Sequence, residues 1–178
     1  GGQDIAGKIQ ERDTNWREYL REFFVAVTEG DDYSRSSPPS RRMLASGFVM
    51  PTHFSECTGE VIVACDTSGS MGGVYPVVFG EIVRIAEHAK PDGLRILWWD
   101  TQVAGDQFFG PKDFDKMRTA MAPKGGGGTT VSCVAEYIKK KGYKPAAIVY
   151  LTDGYIESDY DMVDGVPALW AVIDNESF

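Results

Sequence analysis

A chain of 178 residues, 43% apolar and 25% charged, has the size and composition of one globular domain with one sizeable core. Its net charge of −8 and pI near 4.8 argue against nucleic acid as the main partner, because phosphate binding needs a basic footprint. No apolar run approaches the roughly 20 residues of a membrane span. Cys57, Cys65 and Cys133 are odd in number and irregularly spaced, which suits reduced thiols and a cytoplasmic setting. His53 and His88 stand alone, so a zinc site is not expected. A monomer is expected.

Residues 4–29 read as a helix. Trp16, Tyr19, Leu20, Phe23, Phe24 and Val27 recur at helical spacing, Asp13 or Thr14 can cap the start, and Gly30 can stop it. The aromatic stripe is read as a core-docking face. Residues 30–58 form a long connection, extended or turned through the Ser- and Pro-rich stretch Ser34–Ser40. Arg35, Arg41 and Arg42 read as solvated or ion-paired surface. Phe48-Val49-Met50-Pro51 reads as a short strand or an apolar strap. The chain therefore divides into an N-terminal helix and extended strap, residues 1–57, and a main domain, residues 58–178.

Val61-Ile62-Val63-Ala64-Cys65 is short, uncharged and rich in small or β-branched residues, as a strand buried on both faces should be. Cys65 within it is expected to be an inert core thiol. It breaks into Asp66-Thr67-Ser68-Gly69-Ser70, which sets three oxygen-bearing side chains at alternating positions around a flexible Gly69. Tyr75–Lys90 reads as a helix ended by Pro91-Asp92-Gly93, and Leu94–Asp100 as a second buried strand. Only Thr101 and Gln102 separate it from Val103–Phe109, so these two strands must pair antiparallel. A short amphipathic helix, Phe114–Met121, follows. The run from Gly125 to Gly128 with Thr129 and Thr130 opens a helix over Val131–Lys141. Ala146–Thr152 is an apolar strand ending in Asp153-Gly154, and Ala168–Ile173 is the last strand.

Strands alternating with helices give an α/β fold: a doubly wound, mostly parallel sheet of Rossmann-like type, with the Val103 strand at an antiparallel edge and an N-terminal helical extension. Such sheets place ligands at the carboxyl ends of their strands. Asp66, Asp153 and the loop carrying Thr129 all arrive at that rim. Asp66 and Asp153 can also be read as helix caps, a reading outweighed by the Ser pair and Thr129 that accompany them, whereas a hairpin role is the plainer reading of Asp100. The glycine run lacks a following Gly-Lys-Ser/Thr, so it is not read as a nucleotide loop. The acidic loop Glu157–Asp164 lacks calcium-loop spacing and is read as solvated surface.

The order Asp66-x-Ser68-x-Ser70, then Thr129, then Asp153, in this strand context, resembles the von Willebrand factor A (VWA) domain with its metal-ion-dependent adhesion site. The resemblance covers residues 58–178. More narrowly, the chain resembles the C-terminal VWA-like domain of a bacterial and phage group described as metallopeptidases. That likeness rests on Trp16 to Arg21 with Phe23, Pro39 to Arg42, Gly47 to Pro51, and Ala168 to Trp170. No His-Glu-x-x-His occurs, so no peptidase activity carries over. The resemblance implies a metal site of Asp66, Ser68, Ser70, Thr129 and Asp153. Ser68, Ser70 and Thr129 would bind Mg²⁺ directly, with Mn²⁺ or Ca²⁺ as substitutes. Asp66 and Asp153 would act through water and by orienting hydroxyls. Neutral direct ligands leave the cation seeking a Glu or Asp from a protein partner, and the resemblance points to a MoxR-type AAA+ ATPase as that partner. The implied function is metal-dependent protein binding and not turnover.

Two features depart from the family pattern. Thr130 stands where the group commonly has Asp, leaving open which of Thr129 and Thr130 faces the metal. Few residues follow Ile173, and the N-terminal helix is expected to cover the flank a final element would occupy. The rival functions are a metal-dependent hydrolase, for which no nearby His or Lys offers a general base, and a structural domain whose metal site is vestigial.

Overall fold

The computed structural model describes residues 17–28, 48–49, 59–67, 73–123, 130–152, 162–163 and 165–172. Five strands of five to seven residues and one of two residues form a single six-stranded sheet. The strands are β1 (Phe48–Val49), β2 (Glu60–Asp66), β3 (Gly93–Trp99), β4 (Val103–Phe109), β5 (Ala147–Thr152) and β6 (Ala168–Val172). Their order is β1-β6-β5-β2-β3-β4. The pairs β2–β3, β2–β5 and β5–β6 are parallel, so β2 lies in the interior with a parallel neighbour on each side. β4 pairs antiparallel with β3, as its two-residue connection demands. On the opposite edge β1 pairs antiparallel with β6, which makes the Phe48 segment a strand and supplies a second, shorter antiparallel edge.

Alternation along the strands sorts the core into two layers. Val61, Val63 and Cys65 of β2 join Leu94, Ile96 and Trp98 on one face. There they meet α1 (residues 17–28) through Leu20, Phe23, Phe24 and Val27, and α2 (Tyr75–Ala89) through Val78, Phe79 and Ile82. Ile62 and Ala64 face the other way with Leu97, Trp99, Ile148 and Tyr150, beneath Val134 and Ile138 of α3 (Ser132–Lys141). Trp98 fills the first layer against Tyr75 and Phe79, with ring centroids 5.2 and 5.8 Å away. On the second, Tyr150 and Trp170 stack at 4.2 Å.

The aromatic stripe of α1 is a core face, as its spacing requires. Its described span is shorter than residues 4–29, and the proposed caps Asp13 and Thr14 lie outside the described residues. Beyond β6, β1 takes the sheet edge; Leu169 and Ala171 of β6 and the apolar residues of α1 belong to the same core layer. The segment read as a helix over Phe114–Met121 is a 3₁₀ helix, Phe114–Thr119, and Ala120 is already extended. Only Phe114 and Met117 of it are buried, three apart, which suits three residues per turn. Among the described residues, no helix is long and apolar enough to cross a membrane.

Candidate metal-binding rim

Because β2, β3 and β5 run parallel, their carboxyl ends lie side by side. Asp66 is in register with Trp99 on one side, and Cys65 with Leu151 on the other, which brings Thr152 beside Asp66. Asp66 and Thr152 are both fully buried. The Thr152 hydroxyl donates to Asp66 Oδ2 at 3.4 Å. Tyr75, at the start of α2, donates its phenol to the Asp66 carbonyl. The amide of Thr67 donates to Trp99 O at 2.9 Å, so the turn after β2 leaves the sheet while still tied to β3. α2 has its N-cap at Val74 with no side-chain cap, so Asp66 does not cap that helix.

The next strand ends comparably. Asp100 is 8% exposed, and its Oδ1 accepts from the Gln102 amide at 3.0 Å and from Thr101 Oγ1 at 3.4 Å. It closes the β3–β4 hairpin with its own side chain, as an Asx turn does. Its carbonyl accepts from the Thr130 amide at 2.8 Å, which fixes where the glycine-rich loop re-enters the fold before α3.

Of the five residues expected to form the site, Asp66 is described; Ser68, Ser70, Thr129 and Asp153 lie outside the described residues. Their immediate neighbours are described. Thr67 precedes Ser68, Thr130 follows Thr129, and Thr152 precedes Asp153. Each of these three is hydrogen-bonded to the end of β2 or β3. The three segments that carry the expected ligands thus begin or end on one rim.

The donor chemistry there is hard oxygen, from the Asp66 carboxylate and the Thr152 hydroxyl. Buried polar atoms ordinarily find a partner, yet Thr67 Oγ1 and Trp99 Nε1 are buried at the same strand ends with none among the described residues. The thiol next to Asp66 is turned away: Cys65 belongs to the opposite core layer, and its Sγ approaches Val63 O at 3.8 Å. Burial, and then the Asp66 charge, push that thiol well above its ordinary pKa, so it stays protonated and inert. The Asp66 carboxylate and the Thr152 hydroxyl are both hard oxygen donors, the kind that hard divalent cations take, and no soft ligand stands with them among the described residues. α2 and α3 both start at this rim, and their N-terminal dipoles favour negative charge there.

A second polar cluster escaped the sequence reading. Asp106 of β4 accepts from Arg95 Nη1 at 2.7 Å and, through its other oxygen, from the hydroxyls of Tyr137 and Tyr143, each at 2.8 Å. Arg95 also donates to Glu60 at 2.9 Å and stacks over Tyr143, 4.1 Å from the ring centroid. Burial alone would raise the Asp106 carboxyl. The bonds from Arg95, Tyr143 and Tyr137 outweigh it and hold that carboxyl below its ordinary value. Burial, then Asp106, pushes Tyr137 up to about 12. This cluster joins β2, β3 and β4 to α3 and the turn after it. Arg95 bridges the two carboxylates and the two phenols complete the bonding of Asp106, so the cluster is satisfied from within and is a latch, not a ligand site. Tyr137 and Tyr143 lie 31 and 37 positions from Asp106 in sequence, and no local motif announces the cluster.

Comparison with known proteins places the chain. A family model described as VWA-like domain (DUF2201) matches residues 61–178, from β2 to the C-terminal end. No curated protein and no solved structure matches. The matched region holds the central strand, the rim and both later helices, and on this match the chain belongs to the VWA-like domain family DUF2201.

Proposed function

We propose that this VWA-like domain is a metal-dependent protein-binding module of the adhesion-site type. The observation that carries the reading is Asp66: a buried carboxylate at the carboxyl end of central strand β2, hydrogen-bonded by Thr152, from which Asp-x-Ser-x-Ser departs. A buried carboxylate is costly unless surrounding groups compensate it. Hydroxyl donors, two helix N-termini and a divalent cation are compensations of the right sign.

In this reading Ser68, Ser70 and Thr129 hold the cation, while Asp66 and Asp153 orient those hydroxyls and the waters between them. Thr152 fixes the Asp66 carboxylate. Tyr75 and the Thr67 amide pin the backbone at the head of the ligand turn. The Thr130 amide, bonded to Asp100 O, anchors the Thr129 segment. When bound, the cation supplies a coordination position for an acidic side chain of a partner. The odd, irregularly spaced cysteines point to a cytoplasmic setting, and the resemblance to bacterial VWA proteins of this kind points to a MoxR-type AAA+ ATPase as that partner.

The test is a pull-down from native lysate in the presence of Mg²⁺, comparing wild type with Asp66→Ala/Ser68→Ala. The expected result is a partner retained by wild type in Mg²⁺, released by EDTA and absent from the variant. A partner retained equally by the variant would show that binding does not run through this rim.

A further inference from the structure

On the layer of the molecule away from α3, α1 and the second half of α2 leave a groove of about 400 Å³ between them. Its apolar lining is Val25, Ile85 and Ala89; Arg21 and Arg84 are its charged lining, and Thr28 and His88 add polar groups. No carboxylate appears in the described lining, although the whole chain carries −8. Glu81 is the nearby acid in an ion pair, and it is shared. It accepts from Arg84 and lies 3.6 Å from Arg17, with its own side chain only 10% exposed. Arg21 has no ion-pair partner among the described residues and stands at the surface. His88 directs its Nδ1 hydrogen at Arg84 O, 3.0 Å away, which leaves Nε2 for another partner.

We propose that this groove is a second binding site, for an acidic segment of a partner protein in which carboxylates flank an apolar side chain. The apolar side chain would cover Val25, which is 38% exposed. The carboxylates would meet Arg21 and Arg84, whose planar guanidiniums offer paired donors suited to carboxylates. Extended nucleic acid is disfavoured, because a long polyanion would meet the repulsion of an acidic protein around a small basic patch. The groove is distinct from the rim. His88 lies about 20 Å along α2 from Tyr75, at 1.5 Å per residue, and Tyr75 is the residue that touches Asp66. Binding in the groove therefore needs no metal.

The test uses the full chain and a short fluorescein-labelled peptide of Glu, Leu and Ala, followed by fluorescence anisotropy. The control is the same peptide with every Glu replaced by Lys. Wild type should bind the acidic peptide saturably, with or without EDTA, and more weakly as salt rises. Arg21→Glu should weaken binding about tenfold or more, and so should Val25→Glu, which sets a carboxylate in the groove. Both sites are exposed, so melting curves should match wild type. Equal binding of the Lys peptide, unchanged affinity in Arg21→Glu, or no saturable binding by wild type would each overturn the proposal. Loss of peptide binding on EDTA treatment would also overturn it, by moving the site to the rim.

Discussion

Asp106→Asn keeps the volume and shape of the side chain but removes the charge on which Arg95, Tyr137 and Tyr143 converge. Hydrogen bonds to a charged group contribute about 1.5–3 kcal/mol each. Three such bonds do not add in full. Asn keeps one acceptor oxygen, the Asp106 side chain is 18% exposed, and Arg95 retains Glu60. The expected loss is about 2–3 kcal/mol, read as a lower urea midpoint with an unchanged slope. The pH dependence adds a second check. The Asp106 carboxyl is held below its unfolded value of about 4, so its stabilisation is present above that pH and is lost as pH falls through the folded value. Tyr137 shifts the other way. Its contribution is complete below its unfolded value of about 10 and disappears as pH rises toward about 12. In Asp106→Asn the acid-side loss should shrink; on the alkaline side part should survive, because burial of Tyr137 remains. Stability within about 0.5 kcal/mol of wild type at neutral pH would refute the view of this cluster as a latch.

Phe23→Ala should cost about 3–5 kcal/mol in urea unfolding, because Phe23 is fully buried between α1 and the sheet; a loss under about 1 kcal/mol would make α1 a removable appendage. Gly105→Ala sets a Cβ 2.9 Å from Cδ1 of Trp98, whose ring packs edge-on against Tyr75 and Phe79. It should lower stability by about 1–3 kcal/mol by thermal melting, and a neutral outcome would show that β4 can shift outward. Thr152→Val keeps the shape but removes the donor to Asp66. It should cost about 1 kcal/mol without metal and weaken Mg²⁺ binding by calorimetry. Unchanged Mg²⁺ affinity would show that Thr152 does not orient the carboxylate.

Most of the architecture is legible where a local pattern has one physical solution. Val61–Cys65 is uninterrupted by charge because both of its faces are covered, and it is a buried parallel strand. Thr101 and Gln102 are too few for a crossover, and they close a hairpin. The Asp100 side chain serves that hairpin, as the plainer reading held. Other features depend on distant partners. Phe48–Val49 is two residues long and gains strand character only by pairing with Ala171 and Trp170. The Asp106 latch is set by where β4 lies relative to α3. Thr152 could have been noticed as a hydroxyl closing an otherwise apolar run, but its partner is 86 positions away. At the rim, the strand pattern placed Asp66 at the carboxyl end of a buried strand, where it lies. The anchoring of the neighbouring segments by Thr67, Thr130 and Thr152 came from the strand register.

Thermal melting of wild type and Asp66→Ala/Ser68→Ala, with and without millimolar Mg²⁺ or Mn²⁺, tests the central claim most directly. A ligand that binds only the folded state raises its stability by mass action, about 2.7 kcal/mol at a hundredfold excess over Kd. The melting temperature of wild type should therefore rise by several degrees with metal and return to its starting value with EDTA, while the variant should melt at one temperature throughout. A wild-type protein whose melting is indifferent to either metal would contradict a functional cation site at Asp66.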